Sequence, residues 1–167
     1  MKRALVVIAA VAALAALAVP AIAAEPVDVV AKFSSVLPKV KLKSRVPVRL
    51  PSTLDGYVAP SRLHGAIEEL KRGRYHLSLG GGRGCHEATA CFIAAFFGER
   101  GGSVSGPRKV ALSGGIKGRY TRGSCGASCA PNEIQWKQGR TAYAIQYKGT
   151  RSQLVAAANS AIAAGPR

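Results

Sequence analysis

Four cysteines are the residues of this 167-residue chain best suited to chemistry, and they come as two close pairs. Cys85 and Cys91 enclose five residues, and Cys125 and Cys129 enclose three. A thioredoxin-type redox motif and a four-thiolate zinc site both use two intervening residues, so neither matches these spacings. Because each pair lies in a glycine-containing stretch that can bend back, the sequence predicts the local disulfides Cys85 to Cys91 and Cys125 to Cys129. Crossed pairings are the alternative.

His86 and Glu87 are the nearest approach to a general acid and base pair in the sequence. Neither is close in sequence to a plausible nucleophile, and the Gly-x-Ser-x-Gly elbow of serine hydrolases is missing. Adjacent strand residues also point to opposite faces, so only a loop would bring the two together. A hydrolase built on His86 and Glu87 is therefore the alternative function, and we assign no catalytic residue.

The glycine-rich segment 80–84 resembles a phosphate-binding loop only in composition. It lacks the Gly-Lys-Ser/Thr ending of a P-loop, and no clear helix follows it. A flexible loop ahead of a disulfide is the simpler interpretation. The sequence therefore predicts no cofactor and no metal site.

Basic residues between positions 39 and 50 alternate with apolar residues, and this period of two predicts a strand with one basic face. Nearby prolines would place that strand at a sheet edge. Lysines on an edge strand can simply prevent aggregation. Alternatively they form a ladder that binds an anionic polymer or an anionic membrane surface. The candidate polyanion-binding residues are Lys39, Lys41, Lys43, Arg45 and Arg49.

The N-terminus has the order of a secretory signal peptide. Lys2 and Arg3 precede an apolar run from Ala4 to Val19, and small residues at 21–23 predict cleavage near Ala23. The run is shorter than the roughly 20 residues that span a bilayer. We therefore expect residues 1–23 to be removed and residues 24–167 to form one secreted or periplasmic domain with no later membrane span. Such a compartment is oxidising, which favours the two disulfides.

Net charge narrows the class of partner. The formal charge of the chain is +16, of which Lys2 and Arg3 contribute two, so residues 24–167 carry +14. This excess favours anionic lipids, acidic polysaccharides or nucleic acid through long-range attraction, although no specific nucleic-acid motif occurs. Basicity that serves only solubility is the alternative.

Periodicity and turn residues place the remaining elements. A helix is predicted from Asp28 to Pro38, and a capping box of Thr150 and Gln153 opens a C-terminal helix that ends before Gly165. The predicted strands are a hairpin within 64–79, a buried strand at 92–97, strands at 110–113 and 116–121, and a second hairpin of 134–138 with 141–148. Strands and helices do not alternate. The fold class is therefore α+β, with an antiparallel sheet of about six to eight strands and a helix at each end.

Three segments are distinctive as a set. They are Gly-Cys-His-Glu-Ala-Thr-Ala-Cys, then Gly-Ile-Lys-Gly-Arg-Tyr running into Ser-Cys-Gly-Ala-Ser-Cys, and a Trp, Gly, Tyr hairpin ahead of Leu-Val-Ala-Ala-Ala-Asn-Ser-Ala-Ile. Together they resemble a family of exported bacterial proteins of unknown function. Val46–Pro51 is similar to the family's opening strand, so the resemblance covers roughly residues 36–163. It implies a noncatalytic binding or structural domain of the bacterial envelope. It brings no known substrate or active site.

Overall fold

Three helices and a set of mostly short strands follow one another in the computed structural model, which describes residues 25–55, 60–82, 90–125 and 129–167. The strands are β1 Val27–Asp28, β2 Thr53–Leu54, β3 His64–Lys71, β4 Arg74–Gly80, β5 Phe92–Arg100, β6 Arg108–Ala111, β7 Lys117–Thr121, β8 Ser124–Cys125, β9 Cys129–Ala130, β10 Asn132–Gln138 and β11 Thr141–Tyr147. The helices are α1 Val29–Phe33, α2 Leu37–Ser44 and α3 Arg151–Ala163. The predicted signal peptide, Cys85, His86 and Glu87 lie outside the described residues.

Seven of the strands form one antiparallel sheet in the order β3-β4-β5-β11-β10-β7-β6. Both predicted hairpins are present. Their turns contain Gly73 (φ +85°) and Gly139 (φ +58°), a backbone conformation that glycine adopts without strain. The prediction of an α+β domain built on an antiparallel sheet is therefore confirmed.

All three helices cover the same face of this sheet. Helices α1 and α2 pack near β3, and α3 packs on β10 and β11. The strands supply the core through every second residue, because alternate side chains share a face. In β4 these are Tyr75, Leu77 and Leu79, all fully buried, and across the β10–β11 pair Trp136 stacks on Tyr143 with ring centres 5.5 Å apart. The opposite face, which we call the open face, carries the remaining side chains.

Helix α3 begins as its sequence predicts. The Thr150 hydroxyl accepts a hydrogen bond from the backbone N–H of Gln153, and the Gln153 side chain caps the backbone N–H of Thr150. Leu154 and Ala158 are fully buried on its inner side. The two reciprocal bonds satisfy donors that a helix start otherwise leaves unpaired.

The prediction of a basic strand over positions 39–50 is wrong. Residues Leu37–Ser44 form helix α2, and the predicted first helix ends earlier, at Phe33. Pro38 opens α2 instead of closing α1, because the first turn of a helix needs no N–H from its proline. Alternation with burial persists only beyond Arg45, at Val46, Val48 and Leu50, and those residues join no ladder of the described strands.

The helix forms because the buried residues of this segment also fit a helical period. Leu37, Val40 and Ser44 are buried at spacings of three and four, while Leu42, which a strand would bury, is 79 % exposed. Lys41 and Lys43 lie in the last turn, where positive charge is favourable to the helix dipole. Arg45 ends the helix in the left-handed conformation (φ 54°, ψ 23°) and accounts for the change of period.

Candidate binding surface

Helix α2 still exposes the lysines that the sequence singled out. Lys39, Lys41 and Lys43 are all exposed, and so is Arg45 directly after the helix. Lys39 and Lys43 are one turn apart and neighbours on the helix, while Lys41 lies toward the other side. The cations therefore flank the outer surface of a helix and do not form the single row that a strand would have given.

Hydrogen bonds fix the C-terminal end of α2 to the sheet. The backbone N–H of Gly73 donates to the Ser44 carbonyl at 2.7 Å, and the Arg100 guanidinium donates to the Arg45 carbonyl at 2.5 Å. The Arg100 backbone N–H in turn donates to the Gly73 carbonyl at 2.8 Å. These bonds bring the Arg100 guanidinium, and the turn that carries the exposed Arg72, beside the end of α2. The basic helix surface is defined as Lys39, Lys41, Leu42, Lys43, Arg45, Arg72 and Arg100.

Nearby carboxylates are engaged by other cations. Glu69 pairs with Lys71 (2.7 Å) and Arg74 (3.5 Å), and Arg74 also reaches Glu99 at 3.9 Å. The hydrogen bond from Lys71 is the main cause that holds the pKa of Glu69 below its ordinary value. Among the described residues, no carboxylate forms a salt bridge with the basic helix surface.

Arg49 does not join the other predicted polyanion-binding residues. Its guanidinium Nη1 donates to the Ile162 carbonyl at 3.1 Å, near the end of α3 where positive charge is favourable. Its backbone N–H donates at 3.1 Å to the Tyr75 hydroxyl, whose pKa is raised by burial. Its Nε is buried without a hydrogen-bond partner. Arg49 is therefore part of the connection between α3 and the sheet.

The open face brings together residues that the sequence analysis missed. One row crosses all seven strands, through the register partners Glu69, His76, Phe97, Ala144, Gln135, Arg119 and Lys109. It runs from an acidic residue at one edge of the sheet to two basic residues at the other. Next to the acidic end of the row the His76 ring stacks on Phe97, with centroids 4.1 Å apart and planes 22° apart. The alternation within each strand was the available signal, but strand order is needed to assemble the row.

A shallow cavity of about 180 Å³ lies on this open face, over Ala142 and Ala144. On one wall the Glu133 carboxylate accepts hydrogen bonds from the side-chain amides of Gln135 and Gln146. Because these groups already satisfy one another, the cavity offers a polar ligand few unpaired partners. We therefore regard it as a weaker candidate than the basic helix surface.

The described cysteines are all disulfide-bonded. Cys125 and Cys129 form the predicted bond, with an S–S distance of 2.21 Å, between β8 and β9. Cys91 is also disulfide-bonded, and its predicted partner Cys85 lies outside the described residues. The same holds for the His86 and Glu87 pair. Across the described residues, no group of three or more His, Cys, Asp or Glu side chains is placed to bind a metal.

Comparison with known proteins found no match to the chain among family models, curated proteins or solved structures. The resemblance to exported bacterial proteins of unknown function therefore stays a prediction. In the part of the chain that the structure describes, no helix has the length and apolar character needed to cross a membrane.

Proposed function

We propose that this chain is an exported, noncatalytic domain that binds an anionic polymer or surface outside the cytoplasm through the basic helix surface. The observation that carries the proposal is the run of exposed cations from Lys39 to Arg45, which forms no salt bridge with a described carboxylate. The signal peptide predicted from residues 1–23 supports export. An array of exposed cations binds anionic partners by electrostatic attraction.

Anchoring of the helix favours a binding role over charge that serves only solubility. Cations on a mobile segment lose conformational entropy when they bind, whereas α2 is already held by buried Leu37 and Val40 and by the bonds at Ser44 and Arg45. Each Lys or Arg close to an anionic membrane surface contributes about 1 kcal/mol, and this attraction declines within a Debye length of about 8 Å at physiological salt.

The test compares two triple variants with the same net charge. The first is Lys39→Gln, Lys41→Gln, Lys43→Gln, and the matched control is Lys109→Gln, Lys117→Gln, Lys137→Gln, whose lysines are also exposed but lie on the open face. Titrations use heparin, DNA and anionic vesicles at low salt. We expect a loss of about 100-fold in affinity for the cognate polyanion in the first variant and less than about threefold in the control.

Equal losses in the two variants would show that binding follows total charge and would refute the proposed site. The same preparation tests the alternative function. The purified domain should turn over no ester, peptide, glycan or phosphate substrate. Turnover that His86→Ala abolishes would instead establish an enzyme built on His86 and Glu87.

A further inference from the structure

Leu42 is the large apolar side chain that the described residues leave exposed, with 79 % of its surface accessible. A single exposed leucine on a protein surface needs no explanation by itself. Its position in α2 does, because every residue around it on the outer side of the helix is proline or a cation. An anionic partner that also makes an apolar contact at that point would account for this arrangement.

The helical arrangement puts Leu42 at the outermost point of α2. Successive residues turn by about 100° around a helix of 3.6 residues per turn. Leu37, Val40 and Ser44 define the buried side, and Leu42 lies almost diametrically opposite their centre. A flat surface that approaches the helix from solvent therefore meets Leu42 first.

Cations lie on both sides of this outermost leucine. Lys39 and Lys43 neighbour Leu42 on one side of the helix, and Lys41 and Arg45 lie on the other. Lysine and arginine stems are long enough to lie along an apolar layer while their charged ends stay among polar groups. The arrangement thus pairs one apolar contact with a surrounding set of positive charges, all on a helix that lies flat on the protein.

Of the three polyanion classes that the net charge favours, a lipid bilayer is the one that uses both features. Acidic polysaccharide and nucleic acid engage the cations through carboxylate, sulfate or phosphate groups and gain little from a leucine side chain. A bilayer offers headgroup phosphates to the lysines and an apolar layer just beneath them to Leu42, the arrangement that interfacial helices use. The unpaired charge and the exposed apolar group are then explained by one contact.

We infer that the basic helix surface docks on an anionic lipid bilayer, with Leu42 inserted at the boundary between headgroups and acyl chains and the surrounding cations on the lipid phosphates. This inference rests on the proposed function and names its partner. The contact is peripheral and reversible, since one side chain enters the apolar layer and the rest of α2 stays packed on the sheet.

The experiment separates the leucine from the charges. Leu42→Ser and the Lys39, Lys41, Lys43→Gln triple variant are titrated with three probes: vesicles of phosphatidylcholine mixed with phosphatidylglycerol, vesicles of phosphatidylcholine alone, and heparin. The wild type should bind the mixed vesicles more tightly than the vesicles of phosphatidylcholine alone. Leu42→Ser should weaken that binding about tenfold and leave heparin binding unchanged. The triple variant should weaken both.

A second variant reports insertion directly. Leu42→Trp should show a blue-shifted emission with mixed vesicles and no shift with heparin. The native Trp136 is fully buried and provides a constant background in the wild type. Because Leu42 is exposed, we expect Leu42→Ser and Leu42→Trp to melt at the wild-type temperature. Leu42→Ala provides a further check that loss of the leucine side chain leaves the fold stable.

The outcomes distinguish the two claims. If Leu42→Ser binds mixed vesicles as well as the wild type while the triple variant does not, the charged surface stands and the bilayer inference is overturned. If Leu42→Ser loses affinity for heparin and for mixed vesicles equally, the inference is also overturned, because the leucine would then contribute to the binding of any polyanion or to the stability of the fold. If the wild type binds neither the mixed vesicles nor heparin, the inference and the proposed function are both overturned.

Discussion

Two basic surfaces lie on opposite faces and opposite edges of the same sheet, and they differ in what surrounds the charges. The basic helix surface projects from α2, beside β3 and β4. The second surface lies on the open face over β6, β7 and β10, and consists of Lys109, Lys117, Arg119 and Lys137. The second surface therefore has four cations, and the basic helix surface has six.

The surroundings of the charges distinguish the two surfaces. On the second surface the strand register sets Arg119 opposite Gln135, which bonds Glu133, and the segment through Gly106 packs against the stem of Arg119. On the basic helix surface the cations surround an exposed leucine, whereas the absence of a salt bridge with a described carboxylate is common to the cations of both surfaces. The comparison teaches that net charge selects a class of partner, whereas the apolar neighbours of the cations select a surface.

The largest expected effect comes from detaching the helix that carries the first surface. Val40→Asp places a carboxylate where the native side chain is fully buried. We expect a loss of about 3 kcal/mol or more in the free energy of unfolding, because a buried charge without a partner is strongly unfavourable. The matched control is Leu42→Asp on the outer side of the same helix, expected to stay within about 0.5 kcal/mol of wild type.

Chemical denaturation monitored by Trp136 fluorescence measures both variants. Similar stability of the two would mean that α2 does not pack as the structure places it. In that case the basic helix surface would not be held in place, because a loosely packed α2 positions its lysines no better than a mobile segment does.

A smaller effect is expected from Arg49, whose guanidinium belongs to the fold and not to the basic helix surface. Arg49→Gln removes the charge-assisted bond to the Ile162 carbonyl, and we expect a loss of about 1.5–3 kcal/mol in stability. Affinity for mixed vesicles or heparin, measured on the folded variant, should stay within about twofold of wild type. A much larger loss of affinity with unchanged stability would show that Arg49 belongs to the binding site.

Local signals in the sequence were sufficient for the hairpins and for α3. The turns at Gly73 and Gly139 and the capping box at Thr150 are each specified within a few neighbouring residues, so no tertiary information was needed. The order of strands in the sheet and the row of residues across the open face depend on pairing between segments far apart in the chain. No local pattern specifies that pairing.

The failure at α2 has a different cause. Alternating lysines and apolar residues from Lys39 to Ser44 fit a strand, yet Leu37, Val40 and Ser44 also fit one side of a helix, and a short segment satisfies both periods. Tertiary packing selects the helical period, because it buries Leu37, Val40 and Ser44 and leaves Leu42 exposed. The sequence therefore identified four of the cations of the candidate site, but neither their arrangement nor the role of the leucine among them.

The smallest expected effect concerns Glu69, which limits the charge at the edge of the basic helix surface. Glu69 neutralises Lys71 and Arg74, and Lys71 directly precedes Arg72 in the β3–β4 turn. Glu69→Gln should therefore raise affinity for anionic vesicles about two- to threefold, the scale of one exposed ion pair. Glu68→Gln, one residue away in the same strand, is the matched charge control.

The pH dependence of vesicle binding tests the same pair independently. The pKa of Glu69 is lowered from its ordinary value of 4.5, so the ionised form is favoured in the folded protein. Any stability that this ionisation contributes is present above pH 4.5 and is lost as the pH falls through the lowered pKa. Over that same acid range Lys71 and Arg74 lose their counter-charge, and affinity for vesicles should rise. The rise should be absent in Glu69→Gln, whereas a rise of equal size in that variant would assign the effect to another carboxylate.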